Sequence, residues 1–134
     1  MPPLYLHSTE EMEHPIVVLE LSSIHPMFPI EDVAYMNKVR QSMSKDGLRF
    51  PLVILDISIK DWVDMYRRNI TLSLPCHLHD RGEEERVYGV WRGNNRYRVA
   101  KELQYKLIDC VVVDSVEEAE RIGNLIFDKG KQYV

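Results

Sequence analysis

The sequence predicts an α+β domain, α/β-like in its alternation, with a small mixed sheet and helices around it. Apolar runs of strand length alternate with amphipathic segments of helical length, and glycine, proline and capping residues mark most of the junctions between them. With 134 residues, of which 45% are hydrophobic, the chain is long enough for one core but hardly for two. We therefore expect residues 1–134 to form a single domain.

The first half of the chain predicts two strands and one helix. Residues 1–14 are expected to be a tail or an edge segment, and residues 16–21 a strand. A helix should begin after Glu31 and Asp32 and end at Asp46, where Gly47 caps it. Its inward face is expected to carry Val33, Met36, Val39 or Arg40, and Met43. The apolar run 52–57 has the character of a buried strand.

Residues 58–86 are interpreted as an insertion between two core strands. Ser58 should cap a short helix that carries Trp62, Met65 and Tyr66, residues 72–78 are expected to be extended, and residues 80–86 form a charged turn. A further buried strand is predicted over 107–113. The capping box that begins at Ser115 should open a last helix, whose inward residues are Val116, Ala119, Ile122 and Ile126.

The segment from Val87 to Leu103 is the most informative part of the sequence. A strand runs through Gly93 into a helix whose first turn carries Arg96 and Arg98. A glycine allows a sharp turn and close approach of the backbone, the first N–H groups of a helix are free to bind an anion, and arginine suits phosphate. The alternative is a plain strand-to-helix connection with a solvated basic face. The strength of the flanking elements favours the anion site.

The motif Gly93-Asn94-Asn95-Arg96-Tyr97-Arg98-Val99-Ala100 resembles the Gly-Glu-Arg-Arg-Tyr-Arg-Ala box of the ParB N-terminal domain. The Gly-Cys-His-Arg box of sulfiredoxin belongs to the same superfamily. Residues 42–53 are similar to the family's Ser-Ile-x-x-x-Gly-x-x-x-Pro-Ile-x-Val segment, and residues 16–26 to its first strand and following proline loop. The resemblance extends from about residue 16 to about residue 127, in the family's order.

The resemblance implies that the chain binds a nucleoside phosphate, a nucleoside triphosphate of the CTP or ATP kind, with or without Mg²⁺. It places the phosphate against Gly93, Asn94 and Asn95, with Arg96 as its main partner and Arg98 as a supporting charge. The stretch from Gly47 to Pro51 would form a wall near the sugar or base. Trp91 and Tyr97 are candidates to stack on a base, although aromatic residues in such positions are more often core or lid residues.

Three classes of function fit this resemblance. The first, which is the leading hypothesis, is a nucleotide-binding domain with a DNA-associated or regulatory role. The second is a phosphotransferase or nuclease on this fold, and the third is a protein-interaction module that has lost nucleotide binding. Asn94 stands where sulfiredoxin has its cysteine, so the resemblance does not imply that redox chemistry. We also expect no helix-turn-helix. The absence of this DNA-reading motif would suit a phage or mobile-element protein.

Charge and composition bear on partners and location. The formal net charge is −4, so we expect a nucleotide rather than a nucleic-acid polymer as the ligand, with DNA bound weakly or through another protein. No secretory leader or membrane-spanning run is recognised, so the expected location is the cytoplasm and no membrane partner is expected. The oligomeric state is left open. Cys76 and Cys110 are interpreted as free thiols.

One further cluster, Cys76-His77-Leu78-His79-Asp80, could carry chemistry. In an extended segment His77 and His79 would point to the same side, and paired imidazoles are zinc ligands. A zinc framework usually needs a second ligand pair, and His7, His14 and His25 have no matching spacing. We therefore expect no metal site, and interpret the segment as a polar loop that could instead contact a ligand phosphate.

Overall fold

The computed structural model describes residues 14–29, 32–69, 71–78 and 80–130. Within these ranges the chain forms five β-strands, four α-helices and two short 3-10 turns, Leu21–Ser23 and Cys76–Leu78. The strands are β1 (Val17–Glu20), β2 (Ile24–Pro26), β3 (Leu52–Ser58), β4 (Arg86–Arg92) and β5 (Leu107–Val113). The helices are α1 (Val33–Asp46), α2 (Ile59–Arg68), α3 (Asn94–Glu102) and α4 (Val116–Gly130).

The strands form one mixed sheet in the order β1-β5-β3-β4-β2. The pairs β1–β5 and β3–β4 are antiparallel, whereas β3–β5 and β2–β4 are parallel. The central strand β3 is buried along most of its length, as its continuous apolar run predicts. The predicted α+β class with a small mixed sheet is thereby confirmed.

Helices cover the sheet on both faces, and each face has its own core. On one face α2 and α4 contribute Trp62, Ala119 and Ile122 to a cluster with alternate residues of β3 and β5. On the other face α1 and α3 contribute residues such as Met43 and Val99 to a second cluster. Because successive side chains of a strand point to opposite faces, the two clusters share β3, β4 and β5 between them.

The pairing of β4 with β3 contains a bulge at Trp91. Val90 is the partner of Ile54, but Arg92 is the partner of Val53, so one extra residue of β4 lies between two consecutive residues of β3. Val90 belongs to the cluster under α1 and α3. Trp91 packs on the opposite face, and the Arg92 side chain lies on that same face against Gly123 of α4.

Local capping explains where the helices begin and end. The side chain of Asp32 accepts a hydrogen bond from Tyr35 N, that of Ser58 from Asp61 N, and that of Ser115 from Glu118 N. Gly47 ends α1 with a φ of 74°, a value that a residue with a Cβ rarely adopts. These caps agree with the helix boundaries that the sequence predicts.

Two predictions about local structure are wrong. Val33 is 71% exposed, because the inward face of α1 begins one turn later with Met36. The segment 72–78 is not extended to its end, because its last three residues form the 3-10 turn Cys76–Leu78; before the turn, Ser73 N donates to Met27 O and Trp62 Nε1 donates to Ser73 O. These hydrogen bonds satisfy the backbone without a strand partner.

Some predictions fall outside the described residues. They are the tail or edge segment up to residue 13, Glu31 as a helix-start acid, His79, and the side chains of Cys76 and Ile126. In the part of the chain that the structure describes, no helix has both the length and the apolar character needed to cross a bilayer.

Candidate functional site

The turn between β4 and α3 is built on Gly93. Its backbone adopts the left-handed conformation, with φ 98° and ψ 25°, and its carbonyl accepts the first helical hydrogen bond from Tyr97 N. A Cβ at this position would collide with Leu52 Cδ2 and would also crowd the Arg96 guanidinium. The turn therefore requires glycine, and glycine offers no side chain to cap the first N–H groups of α3.

The residues of this turn line a cavity of about 680 Å³. The lining comes from four parts of the chain besides Asn69: residues 91–96, Phe28 and Pro29, helix α1 through Tyr35 and Val39, and helix α4 through Glu120, Gly123 and Asn124. A cavity of this size is in the range of small-molecule sites. The strand-to-helix turn predicted as an anion site thus opens onto a space that can hold a ligand.

Arg96 lines the cavity and is also tied to the neighbouring loop. Its Nη1 donates to Phe50 O at 2.5 Å and to Pro51 O at 3.1 Å. The guanidinium therefore joins α3 to the segment that enters β3. Its charge stays at the cavity wall, but part of its hydrogen-bonding capacity is used within the protein.

Arg98 is directed at the backbone of the loop after β2. Its Nη1 donates to Phe28 O at 3.1 Å, and it is not among the described residues that line the cavity. Burial lowers the pKa of Arg98, while the neighbouring Tyr97 raises it. Arg98 thus contacts the loop that carries Phe28, and its role as a supporting charge for phosphate stays a prediction.

Asn94 fixes the same loop from the first position of α3. Its Oδ1 accepts hydrogen bonds from Met27 N at 3.0 Å and Phe28 N at 3.2 Å, and its Nδ2 donates to Val90 O at 2.9 Å. One amide side chain therefore joins the loop after β2, the end of β4 and the start of α3. This places the wall formed by Phe28 and Pro29.

The structure brings together only part of the predicted site. Gly93, Asn94, Asn95 and Arg96 line the cavity, as does Trp91, whereas Gly47 and Pro51 are absent from the described lining. Pro51 is linked to the site by the hydrogen bond that its carbonyl oxygen accepts from Arg96. Tyr97 is buried, and burial raises the pKa of its hydroxyl, so its ring serves the core.

Sequence reasoning missed the far walls of the cavity. Tyr35, Glu120 and Asn124 come from two helices that are distant in sequence from Gly93. Phe28 packs edge-on against Trp91, with ring centroids 5.4 Å apart. In the sequence these residues are visible only as polar positions on amphipathic helices. That pattern does not indicate which other element of the fold they will face.

Comparisons with known proteins give a similarity to a solved structure. The crystal structure of sulfiredoxin from Arabidopsis thaliana matches over 80% of this chain and 93% of that chain, with 19% sequence identity and a TM-score of 0.47. This similarity assigns no activity to the chain. No family model matches the sequence, and no curated protein matches it.

Proposed function

We propose that the protein binds a nucleoside phosphate in the cavity at the Gly93 turn. The observation that carries the proposal is the start of α3: its first turn, which follows a glycine that has no side chain to cap it, lines a cavity whose wall also includes Arg92 and Arg96. Helix N-termini bind phosphate through the N–H groups of their first turn, and guanidinium groups add charge and directed donors.

The other walls suit the remainder of a nucleotide. Trp91 and Phe28 offer aromatic surface to a base, and Glu120 and Asn124 offer acceptors for amino or hydroxyl groups. We propose a nucleoside triphosphate of the CTP or ATP kind as the ligand, with or without Mg²⁺, in a regulatory or DNA-associated role. The sequence resemblance supports the choice of ligand, and the polarity of the opposite walls is compatible with it.

The test is a thermal-shift and calorimetric screen of the protein against the common nucleoside di- and triphosphates, each with and without Mg²⁺. A ligand present at a hundred times its dissociation constant should stabilise the folded state by about 2.7 kcal/mol. We expect at least one triphosphate to raise the melting temperature, and inorganic phosphate to do so far less.

Paired charge-removing variants locate the site. Arg92→Gln and Arg96→Gln each remove a cation from the cavity wall, while Lys101→Gln removes one from the exposed last turn of the same helix. We expect the first two to weaken nucleotide binding and the third to leave it unchanged. Absence of any nucleotide effect, or equal affinity in all three folded variants, overturns the proposal.

A further inference from the structure

A second cavity, of about 390 Å³, lies apart from the Gly93 turn, beside strand β2. Its polar lining consists of Ser22, Ser23, His25, Arg81, Arg86 and Tyr88. These side chains carry hydroxyl, imidazole and guanidinium groups, and no described residue of the lining carries a carboxylate. In a chain whose formal net charge is −4, a cavity with this composition is suited to an anion rather than a cation.

Three parts of the chain bring these groups together. The two serines belong to the 3-10 turn before β2, and His25 is the central residue of β2. Arg86 begins β4, which pairs with β2 in parallel. Arg81 comes from the preceding turn, where its N–H donates to Leu78 O at 3.2 Å and the Leu78 side chain is fully buried. The fold therefore holds the backbone of each contributor in place.

The two guanidinium groups keep donors available to a ligand. Arg86 Nε donates to Asp56 Oδ1 and its Nη2 to Asp56 O, both at 2.8 Å, which positions the group and leaves Nη1 outside these bonds. Arg81 Nη1 lies 3.7 Å from Glu85 Oε1, too far for a hydrogen bond. An anion can therefore bind Arg81 without breaking a hydrogen bond of its side chain within the described part of the chain.

The charges around His25 are positive on balance. Burial, His77 and Arg81 together lower the pKa of His25 to about 4, and among the described residues no carboxylate acts in the opposite sense. His25 Nδ1 and His77 Nε2 are 3.1 Å apart. When His77 is the donor in this hydrogen bond, the neutral His25 ring carries its own proton on Nε2, where it can donate to a ligand.

We propose that this cavity binds a tetrahedral oxyanion: phosphate, as the free ion or as the terminal group of a small phosphomonoester. Arg81 supplies charge and paired N–H donors, and Arg86 and His25 add directed donors. Of the two serines, Ser22 can donate as well, whereas the Ser23 hydroxyl already donates to a backbone carbonyl at 2.7 Å. A volume of about 390 Å³ suits a small ligand.

The experiment follows the amide chemical shifts of isotope-labelled protein during titration with inorganic phosphate, sulfate or glycerol phosphate, at an ionic strength held constant with sodium chloride. We expect saturable shifts at residues 22–25 and 81–88. Arg81→Gln should weaken the affinity about tenfold or more. The matched control is Arg67→Gln, which removes an exposed charge from the last turn of α2 and should leave the affinity unchanged.

The two ligand sources are separated by their order of affinity. Tighter binding of glycerol phosphate than of inorganic phosphate supports the proposal with an ester as the ligand, and the reverse order supports it with the free ion. Circular dichroism of each variant checks that the fold is retained.

Arg96→Gln distinguishes this cavity from the one at the Gly93 turn, because the two share no lining residue. We expect this variant to keep the anion-induced shifts at 22–25 and 81–88. The absence of saturable shifts, or shifts confined to residues 93–96, overturns the proposal. Unchanged affinity in folded Arg81→Gln overturns it as well. None of these results decides whether a nucleotide binds at the Gly93 turn.

Discussion

At the scale of single residues, the side chain of Asn94 makes three hydrogen bonds to backbone groups of two separate segments. Its side-chain amide accepts from Met27 N and Phe28 N and donates to Val90 O. The sequence identified this position through its backbone N–H, as part of an anion site. Its side chain instead organises the wall of the cavity, since an amide can accept and donate at once.

We expect Asn94→Ala to lower the free energy of unfolding by about 1–3 kcal/mol, because buried backbone donors and an acceptor lose their partners. Denaturant unfolding followed by circular dichroism measures the change. Asn95→Ala is the matched control, since it alters the adjacent residue of the same helix turn, and should cost much less. Equal losses in the two variants would contradict the role assigned to the Asn94 side chain.

Cys110 is predicted to be chemically inert in the folded protein. Burial, reinforced by Asp109, raises the pKa of its thiol to about 12, although Arg96 acts in the opposite sense. Because only the thiolate is nucleophilic, the native protein should react with a thiol reagent at pH 8 extremely slowly. The measurement uses the Cys76→Ser variant, with the same sample in guanidinium chloride as the reactive control. Rapid labelling without denaturant would show that the thiol is accessible.

At the scale of elements, the β4–α3 turn should tolerate no side chain at Gly93. Gly93→Ala would place a Cβ against Leu52 and add the strain of a positive φ, for an expected loss of about 1–3 kcal/mol in unfolding free energy. Gly82→Ala is the control, because a Cβ there meets open space. Chemical denaturation compares the two, and a Gly93→Ala protein as stable as Gly82→Ala would contradict the geometry described for the turn.

Helices α1 and α3 are joined on the surface by a bidentate ion pair. Arg40 Nε and Nη2 donate to the two carboxylate oxygens of Glu102, at 2.7 and 3.0 Å. The hydrogen bond from Arg40 holds the pKa of Glu102 below its usual 4.5. A depressed carboxyl pKa gives stability that is present above the unfolded-state pKa and is lost as the pH falls through the folded-state pKa.

Glu102→Gln should therefore reduce the loss of stability on acidification below about pH 4.5, where the carboxylate takes up its proton. The effect should be small and should weaken with added salt, since both side chains are exposed to solvent. Melting temperatures across a pH series, at low and high ionic strength, measure it. An identical pH profile for the variant and the unmodified protein would show that the pair contributes nothing.

The sequence predicts the secondary-structure elements better than it predicts the contacts between them. Caps such as Ser58 and Gly47 act within four residues, and the apolar period of a strand or helix is also local, so both can be found by inspection. The bonds from Arg96 to Phe50 and Pro51 cross 46 and 45 residues, and the His25–His77 contact crosses 52. Such contacts depend on strand order, which no local spacing encodes.

At the scale of the whole molecule, a net charge of −4 opposes binding to a polyanion. We expect duplex DNA to bind weakly, and the binding to vanish near physiological salt, because few phosphate contacts give little affinity to begin with and salt weakens them further. Fluorescence anisotropy with labelled duplex, and competition against a labelled nucleotide, measure this. Displacement of the nucleotide by duplex, or sub-micromolar DNA binding at physiological salt, would favour the nuclease or DNA-binding interpretation.

The bulge at Trp91 also determines on which side of the molecule a charge can reside. In a regular strand Arg92 would follow the alternation of Val90 and point into the apolar layer under α1 and α3. The extra residue lets Trp91 and Arg92 both face α4, so an aromatic ring and a cation stand next to each other on one cavity wall. Deleting Trp91 would restore a regular ladder in which Arg92 still lies opposite Val53, so the cavity wall would keep its cation and lose its aromatic ring.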